Sequence, residues 1–219
     1  LLIEGTRRIG KSTIAEKFAR ENYKSYVLID FNNASKKIKD NFENLNNLDL
    51  FYQTISLEYN KKLFSRESLI IFDEIQKFPR AREAIKYLVQ DGRYDFIETG
   101  SLISIKESVK NIAVPSEERK IKMYPVTFEE FMSAKGEDVL LEYIETCWKT
   151  KTPLDQKAHA KAMHIFREYI LVGGMPQSIV AYLQNSLDFE KSDIEKRDIL
   201  NLYRDDIQKA AARYNSKVS

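Results

Sequence analysis

Residues Gly5-Thr6-Arg7-Arg8-Ile9-Gly10-Lys11-Ser12 fit the pattern G-x-x-x-x-G-K-[ST], a spacing suited to holding a polyphosphate. Glycine permits the dihedrals and the close backbone approach that let successive N–H groups wrap a β-phosphate. A helix starting just after the loop turns its partially positive end toward the same anion. Lys11 can reach the β- and γ-phosphates, and the Ser12 hydroxyl can hold Mg²⁺. The expected ligand is ATP with Mg²⁺, and the expected binding set is Gly5, Thr6, Arg7, Arg8, Ile9, Gly10, Lys11, Ser12 and Thr13. By chance the pattern arises on the order of once in a hundred chains of this length, so its context matters. An apolar strand, Leu1-Leu2-Ile3, precedes it and an amphipathic segment, Ser12 to Glu21, follows it. A ligand-free strand-to-helix turn would leave that context unexplained.

A second chemical signal is Leu69-Ile70-Ile71-Phe72-Asp73-Glu74, four apolar residues ending in two carboxylates. In a parallel sheet the C-terminal strand ends face the ligand crevice. Asp73 would then lie near Ser12, where it could bind Mg²⁺ through water, and Glu74 would polarise a water for in-line attack on the γ-phosphate. A surface carboxylate at a helix start is the plainer reading of Glu74. A third signal, Thr99-Gly100-Ser101, ends another apolar run. A hydroxyl there could contact the γ-phosphate or the attacking water, or simply open an ST-turn. The expected catalytic set is Glu74, Lys11, Thr99 and Ser101, and the expected metal set is Ser12 and Asp73.

These signals need strands to carry them. Strands are expected at Leu1–Ile3, Tyr26–Phe31, Leu69–Phe72, Asp95–Gly100 (interrupted by Glu98) and Lys120–Val126. Helices are expected at Ser12–Glu21, with Ile14, Ala15, Phe18 and Ala19 on one face, within Phe42–Phe64, and at Ala81–Gln90. Strands alternating with helices predict an α/β fold, a parallel sheet with helices on both faces. Beyond about residue 130 only helical stripes remain: Val139/Leu140, Tyr143/Ile144 and Cys147/Trp148; then Met163, Phe166, Tyr169 and Ile170; then Ile199, Tyr203, Ile207 and Ala210. The expected organisation is a core over 1–130 and a helical portion over 131–219, packed closely because no low-complexity linker separates them.

Composition narrows the partners. The 219 residues are 43% hydrophobic and 31% charged, as in an ordinary globular chain. A net charge of +2 gives no long-range pull toward nucleic acid or membrane. No apolar run reaches the roughly 18 residues that span a bilayer. The single cysteine, Cys147, excludes an intrachain disulfide, suits a reducing, cytoplasmic compartment and reads as a buried inert thiol. His159 and His164 fall on different helix faces and lack metal-site companions. Asp205 and Asp206, adjacent on a helix, diverge by about 100°. Arg119, Lys120 and Lys122 read as a solvated edge, and Arg7 and Arg8 as candidates for phosphate or a neighbouring subunit. Asn60-Lys61-Lys62-Leu63 lacks the terminal acid of a guanine-binding motif.

Taken together, Leu2 to Ser12, Ile71-Phe72-Asp73-Glu74-Ile75-Gln76, Thr99-Gly100-Ser101-Leu102, Met123 to Phe131, Tyr169 to Pro176 and Asp198 to Lys209 give the chain a resemblance to a family. It resembles the prokaryotic AAA+-type P-loop ATPases with a C-terminal domain of unknown function, often likened to nucleases. The discriminating parts are Tyr124-Pro125 through Phe131 and Gly173-Gly174-Met175-Pro176. The resemblance implies a five-stranded sheet in AAA+ order, with the fourth strand between the first and third, and a sensor role for Thr99 or Ser101. It also implies ATP hydrolysis, completion of the site by an arginine from a neighbouring subunit, and hence a homo-oligomer. The chain reads as truncated at both ends, with most of the C-terminal domain beyond Ser219. Two departures are Pro115-Ser116-Glu117-Glu118-Arg119, where the family often has Gly-Arg, and Glu98 in the sensor strand; Arg119 is the remaining finger candidate. Nucleic acid is a partner the family allows and the charge does not support. Alternative readings are an ATP-gated switch that does not hydrolyse, and a phosphotransferase, for which no acceptor pocket or lid arginines are visible.

Overall fold

The computed structural model describes residues 1–101 and 118–218, with side chains through 208 and at 211. Leu102 and Pro115-Ser116-Glu117 of the sequence motifs therefore lie outside the described residues, as do the side chains of Lys209 and Ala210. The chain divides into two compact units, Leu1–Met123 and Tyr124–Ser219.

The first unit is a sheet of five parallel strands: β1 (Leu2–Gly5), β2 (Ser25–Asp30), β3 (Ser68–Asp73), β4 (Asp95–Ser101) and β5 (Lys120–Met123). Their order is β2-β3-β4-β1-β5, so β4 lies between β1 and β3 as the AAA+ order requires. Registers of Ile3 with Thr99 and Gly5 with Ser101 bring the ends of β1 and β4 level. This is an α/β P-loop NTPase sheet. Alternation along each strand sorts its side chains onto two faces. Ile3, Leu69, Ile71 and Ile97 meet Ala15 and Ala19 of α1 (Lys11–Asn22) on one face. Leu2, Ile29, Ile70, Phe72 and Phe96 meet α2 (Lys36–Asn41), α3 (Leu48–Glu58) and α4 (Pro79–Asp91) on the other. A strand covered on both faces must be apolar throughout, which is why β3 is buried from Ser68 to Phe72.

Three expectations change here. Helix α1 buries only Lys11, Ala15 and Ala19, while Ile14 is 50% and Phe18 45% exposed; small residues let the helix lie close to the sheet on a narrow face. The Phe42–Phe64 pattern narrows to one helix, α3, started by the Asn47 cap, and a short helix outside it, α2, capped by Ser35, ends at Asn41. Strand β5 stops at Met123 rather than Val126, because Pro125 has no N–H to donate and Val126 N bonds instead to Gly174 O at 2.8 Å.

The second unit contains α5 (Phe128–Ala134), α6 (Asp138–Thr150), α7 (Gln156–Val172), α8 (Pro176–Gln184) and α9 (Phe189–Val218). Thr127 starts α5 with a reciprocal capping box to Glu130. The two discriminating sequence motifs meet here. Tyr169 Oη donates to Val126 O at 2.8 Å. A Cβ on Gly174 would come within 2.7 Å of that same oxygen, so only glycine admits the crossing. The helical stripes are partly displaced from expectation. Leu140 and Cys147 are buried on α6, but Val139 is 82% and Trp148 74% exposed. On α7 the buried face runs through Ile165, Glu168 and Val172, leaving Ile170 largely exposed. On α9 Ile199 is buried and Ile207 exposed. Among the described residues no helix is long and apolar enough to cross a membrane.

Candidate functional site

The strand-to-helix connection from β1 to α1 carries the first set of residues. Gly5 ends β1 where a Cβ would stand 2.6 Å from Met123 O and 2.4 Å from the Ile9 side chain. Positive φ at Arg8 (68°) and Gly10 (89°), on either side of fully buried Ile9, curls the loop back on itself. Gly10 is the N-cap of α1 and supplies no side-chain cap, and the first turn holds no acidic residue. No side chain caps the leading N–H groups of this helix, an arrangement that suits a phosphate. Thr6, Arg8 and Thr13 are exposed and Arg7 is half-buried.

Lys11 is 5% exposed. Its Nζ donates to Thr6 O at 2.8 Å and Gly5 O at 3.3 Å, so the loop's own carbonyls aim it. Burial pushes its pKa below the usual lysine value, while Glu74 and Asp73 oppose that shift and Arg7 reinforces it. The two carboxylates thus help keep the ammonium charged.

Three elements converge beside Lys11. Ser12 Oγ, from the head of α1, donates to Asp73 Oδ1 at 2.6 Å. Thr99 Oγ1, from the end of β4, donates to the same oxygen, and the Glu74 N–H donates to Thr99 Oγ1 at 3.3 Å. Residues 12, 73 and 99 come together because β4 pairs with both β1 and β3. Of the two sensor candidates, Thr99 makes the contact with Asp73; Ser101 ends β4 level with Gly5. Arg119 is exposed just before β5. Glu74 is half-buried in a left-handed conformation, φ 53° and ψ 45°, uncommon for a side-chain-bearing residue and a mark of constraint.

A hydroxyl and a carboxylate in contact fit Mg²⁺, which keeps several waters and takes phosphate oxygens rather than a protein cage. No group of three or more His, Cys, Asp or Glu able to hold a metal occurs among the described residues. Elsewhere, His159 is exposed, His164 lies 3.3 Å from Glu168 and Asp205 is exposed on α9.

Two features escaped the sequence reading. Gln76 donates through Nε2 to Glu74 Oε2 at 2.5 Å; its amide two residues beyond the carboxylate was the only signal. Behind the site, Glu98 does not interrupt β4, which runs through it, but joins a buried charge network. Arg82, 2% exposed, donates to Glu118 Oε2 at 2.7 Å and stands 3.9 Å from Glu98. Burial raises the Glu98 pKa from 4.5 to about 7; Arg82 and Lys120 pull it down, and Glu118 pushes it up. The folded state therefore holds this proton more tightly than the unfolded chain. Stability contributed by the protonated form is full below pH 4.5 and declines as pH rises toward 7. The shift corresponds to about 3 kcal/mol. Glu98→Gln is expected to match wild type at about pH 4.5 and to exceed it by up to that amount at about pH 8, read by urea unfolding. Equal stability differences at the two pH values would remove the burial argument.

A family model described as "AAA domain" matches residues 1–132. Among solved structures, C. elegans PCH-2 is similar with a TM-score of 0.40 and 12% identity, over 90% of this chain and 60% of that chain. This chain therefore spans less than two thirds of the length of that structure. No curated protein matches the chain.

Proposed function

This chain belongs to the AAA domain family, a membership that carries nucleotide binding of the ATPase type, and we propose that it binds ATP with Mg²⁺ at Gly5–Thr13 and hydrolyses it. The observation that carries the reading is the convergence of Ser12 and Thr99 on one oxygen of Asp73 beside the Lys11 ammonium. In the proposal the loop N–H groups and Lys11 bind the phosphates, and Ser12 and Asp73 hold the metal. Glu74 orients the attacking water and takes its proton, and Thr99 fixes the Asp73 and Glu74 backbone geometry around it. Bound Mg²⁺ would neutralise charge on the phosphate oxygens. Water attack forms the new P–O bond, the bond to the ADP oxygen breaks, and the products are ADP and phosphate. Ser101 stands at the same strand end as a further polar group. The site is completed by a neighbouring copy, with Arg119 the candidate donor, and the turnover drives a conformational change in the helical unit. The compartment we propose is the cytoplasm.

The test is steady-state phosphate release over a range of protein and Mg²⁺ concentrations, with and without DNA, for wild type and Asp73→Asn. Wild type is expected to turn over faster as protein concentration rises. Asp73→Asn is expected to need roughly tenfold more Mg²⁺ for half-maximal rate, the loss of one charge-assisted ligand. ATP binding without Mg²⁺-dependent release under any condition would favour the switch that does not hydrolyse. Stimulation by DNA would supply the partner that the charge of +2 does not.

A further inference from the structure

We propose that Gln76 is a positioning residue for hydrolysis, its amide holding one oxygen of the Glu74 carboxylate so that the other faces the attacking water. The inference rests on the hydrolytic reading above and adds a residue to it.

The amide sits on a turn with little freedom. Residues Ile75–Lys77 form a single 3₁₀ turn closed by Lys77 N to Glu74 O at 2.8 Å and Phe78 N to Ile75 O at 3.1 Å. Ile75 is fully buried in the core and Pro79 begins α4 immediately afterwards. Glu74 itself is fixed through its backbone, by its left-handed conformation and its N–H bond to Thr99. Its side chain still has three rotatable bonds, and a carboxylate free to rotate would be drawn to a neighbouring cation. Lys11 is one, and among the charges acting on it Glu74 exerts the largest influence. Pairing of the two would remove both the base and the phosphate-binding ammonium. The Gln76 amide, its Nε2 donating to Glu74 Oε2 at 2.5 Å, opposes that collapse.

The amide can serve in one orientation only. Turned round, its carbonyl would face the carboxylate and repel it. In the observed orientation Gln76 Oε1 is buried and has no hydrogen-bond partner among the described residues. A buried orphan acceptor is unfavourable, so the contact with Glu74 is what keeps the amide this way round. The role differs from that of Glu74: Gln76 donates to the base and exchanges no proton with water or phosphate.

The experiment is a double-mutant cycle on the full chain, reading single-turnover hydrolysis, KM for ATP and thermal midpoint together. Gln76→Leu keeps the volume and removes the hydrogen bond; its kcat is expected to fall roughly tenfold with KM changed less than about twofold. Gln76→Glu, of the same shape, sets a second carboxylate against the first and is expected to lose more. In a Glu74→Gln background Gln76→Leu is expected to have almost no further effect, because a positioning residue has nothing left to position. A similar loss in both backgrounds, or a loss matched by lower ATP affinity and thermal midpoint, overturns the proposal in favour of a structural role. Full activity in Gln76→Leu and Gln76→Glu overturns it while leaving hydrolysis intact. Wild type no faster than Glu74→Gln overturns the hydrolytic reading and this one with it.

Discussion

Glu74→Gln is expected to lower kcat for ATP hydrolysis by at least about a hundredfold, the lower end of what a positioned general base contributes. ATP affinity should stay within about twofold of wild type, since the loss falls on an interaction made only in the transition state. The substitution preserves the local structure. Glutamine has the same shape, its carbonyl can still accept from Gln76 Nε2, and the backbone N–H bond to Thr99 is untouched. What it removes is the basicity and the negative charge. Phosphate release and equilibrium binding of ATP, measured on the same preparations, separate the two effects. If kcat and affinity fell together, Glu74 would be holding the loop or the nucleotide instead of acting on water. If neither fell, the surface-carboxylate reading would stand.

Lys11→Met is expected to weaken ATP binding by at least about tenfold to a hundredfold, the loss of one or two charge-assisted hydrogen bonds. The free protein should be no less stable, and this second half makes the prediction specific. Lys11 is nearly buried, and desolvation is the largest influence on its pKa. Keeping an ammonium there costs free energy that Asp73, Glu74 and the carbonyls of Gly5 and Thr6 only partly offset. Methionine fills similar space without that cost. Isothermal titration with ATP and Mg²⁺, set beside urea unfolding of the free protein, reads both quantities. Reduced stability with unchanged affinity would make Lys11 a structural pin for the loop, not a phosphate ligand.

Some of this protein was legible residue by residue. The loop from Gly5 to Ser12 is a local object: glycines at fixed spacing, a lysine and a hydroxyl, read from eight consecutive residues. Strands β1, β2 and β3 were legible for a related reason. A strand buried on both faces needs an unbroken apolar run, and Leu69-Ile70-Ile71-Phe72 is one. The pairing of β4 between β1 and β3 was not in any pattern of spacing; it came from the resemblance to a family. Periodicity was less informative in the helices. It identified α6 and α7 as helices, yet Val139, Trp148 and Ile170 are exposed, because an apolar stripe wider than the contact leaves some of its members outside.

Glu98 shows most clearly where sequence reading stops. In isolation a glutamate in a buried strand is a defect, and it was read as an interruption. Its compensation is Arg82, sixteen positions away on α4 and itself paired with Glu118, and neither shares a motif with it. Gln76 is a milder case: its neighbour in space is also its neighbour in sequence, but only the left-handed turn at Glu74 aims the amide back at the carboxylate.

The sequence by itself determined the chemistry on offer, because phosphate-binding loops and strand-end carboxylates are built from contiguous residues whose types dictate their bonds. The tertiary structure decided which of those groups share an atom. Ser12, Asp73 and Thr99 meet only because the sheet order lays β4 against both β1 and β3, and strand order is set by non-local pairing that no local pattern encodes.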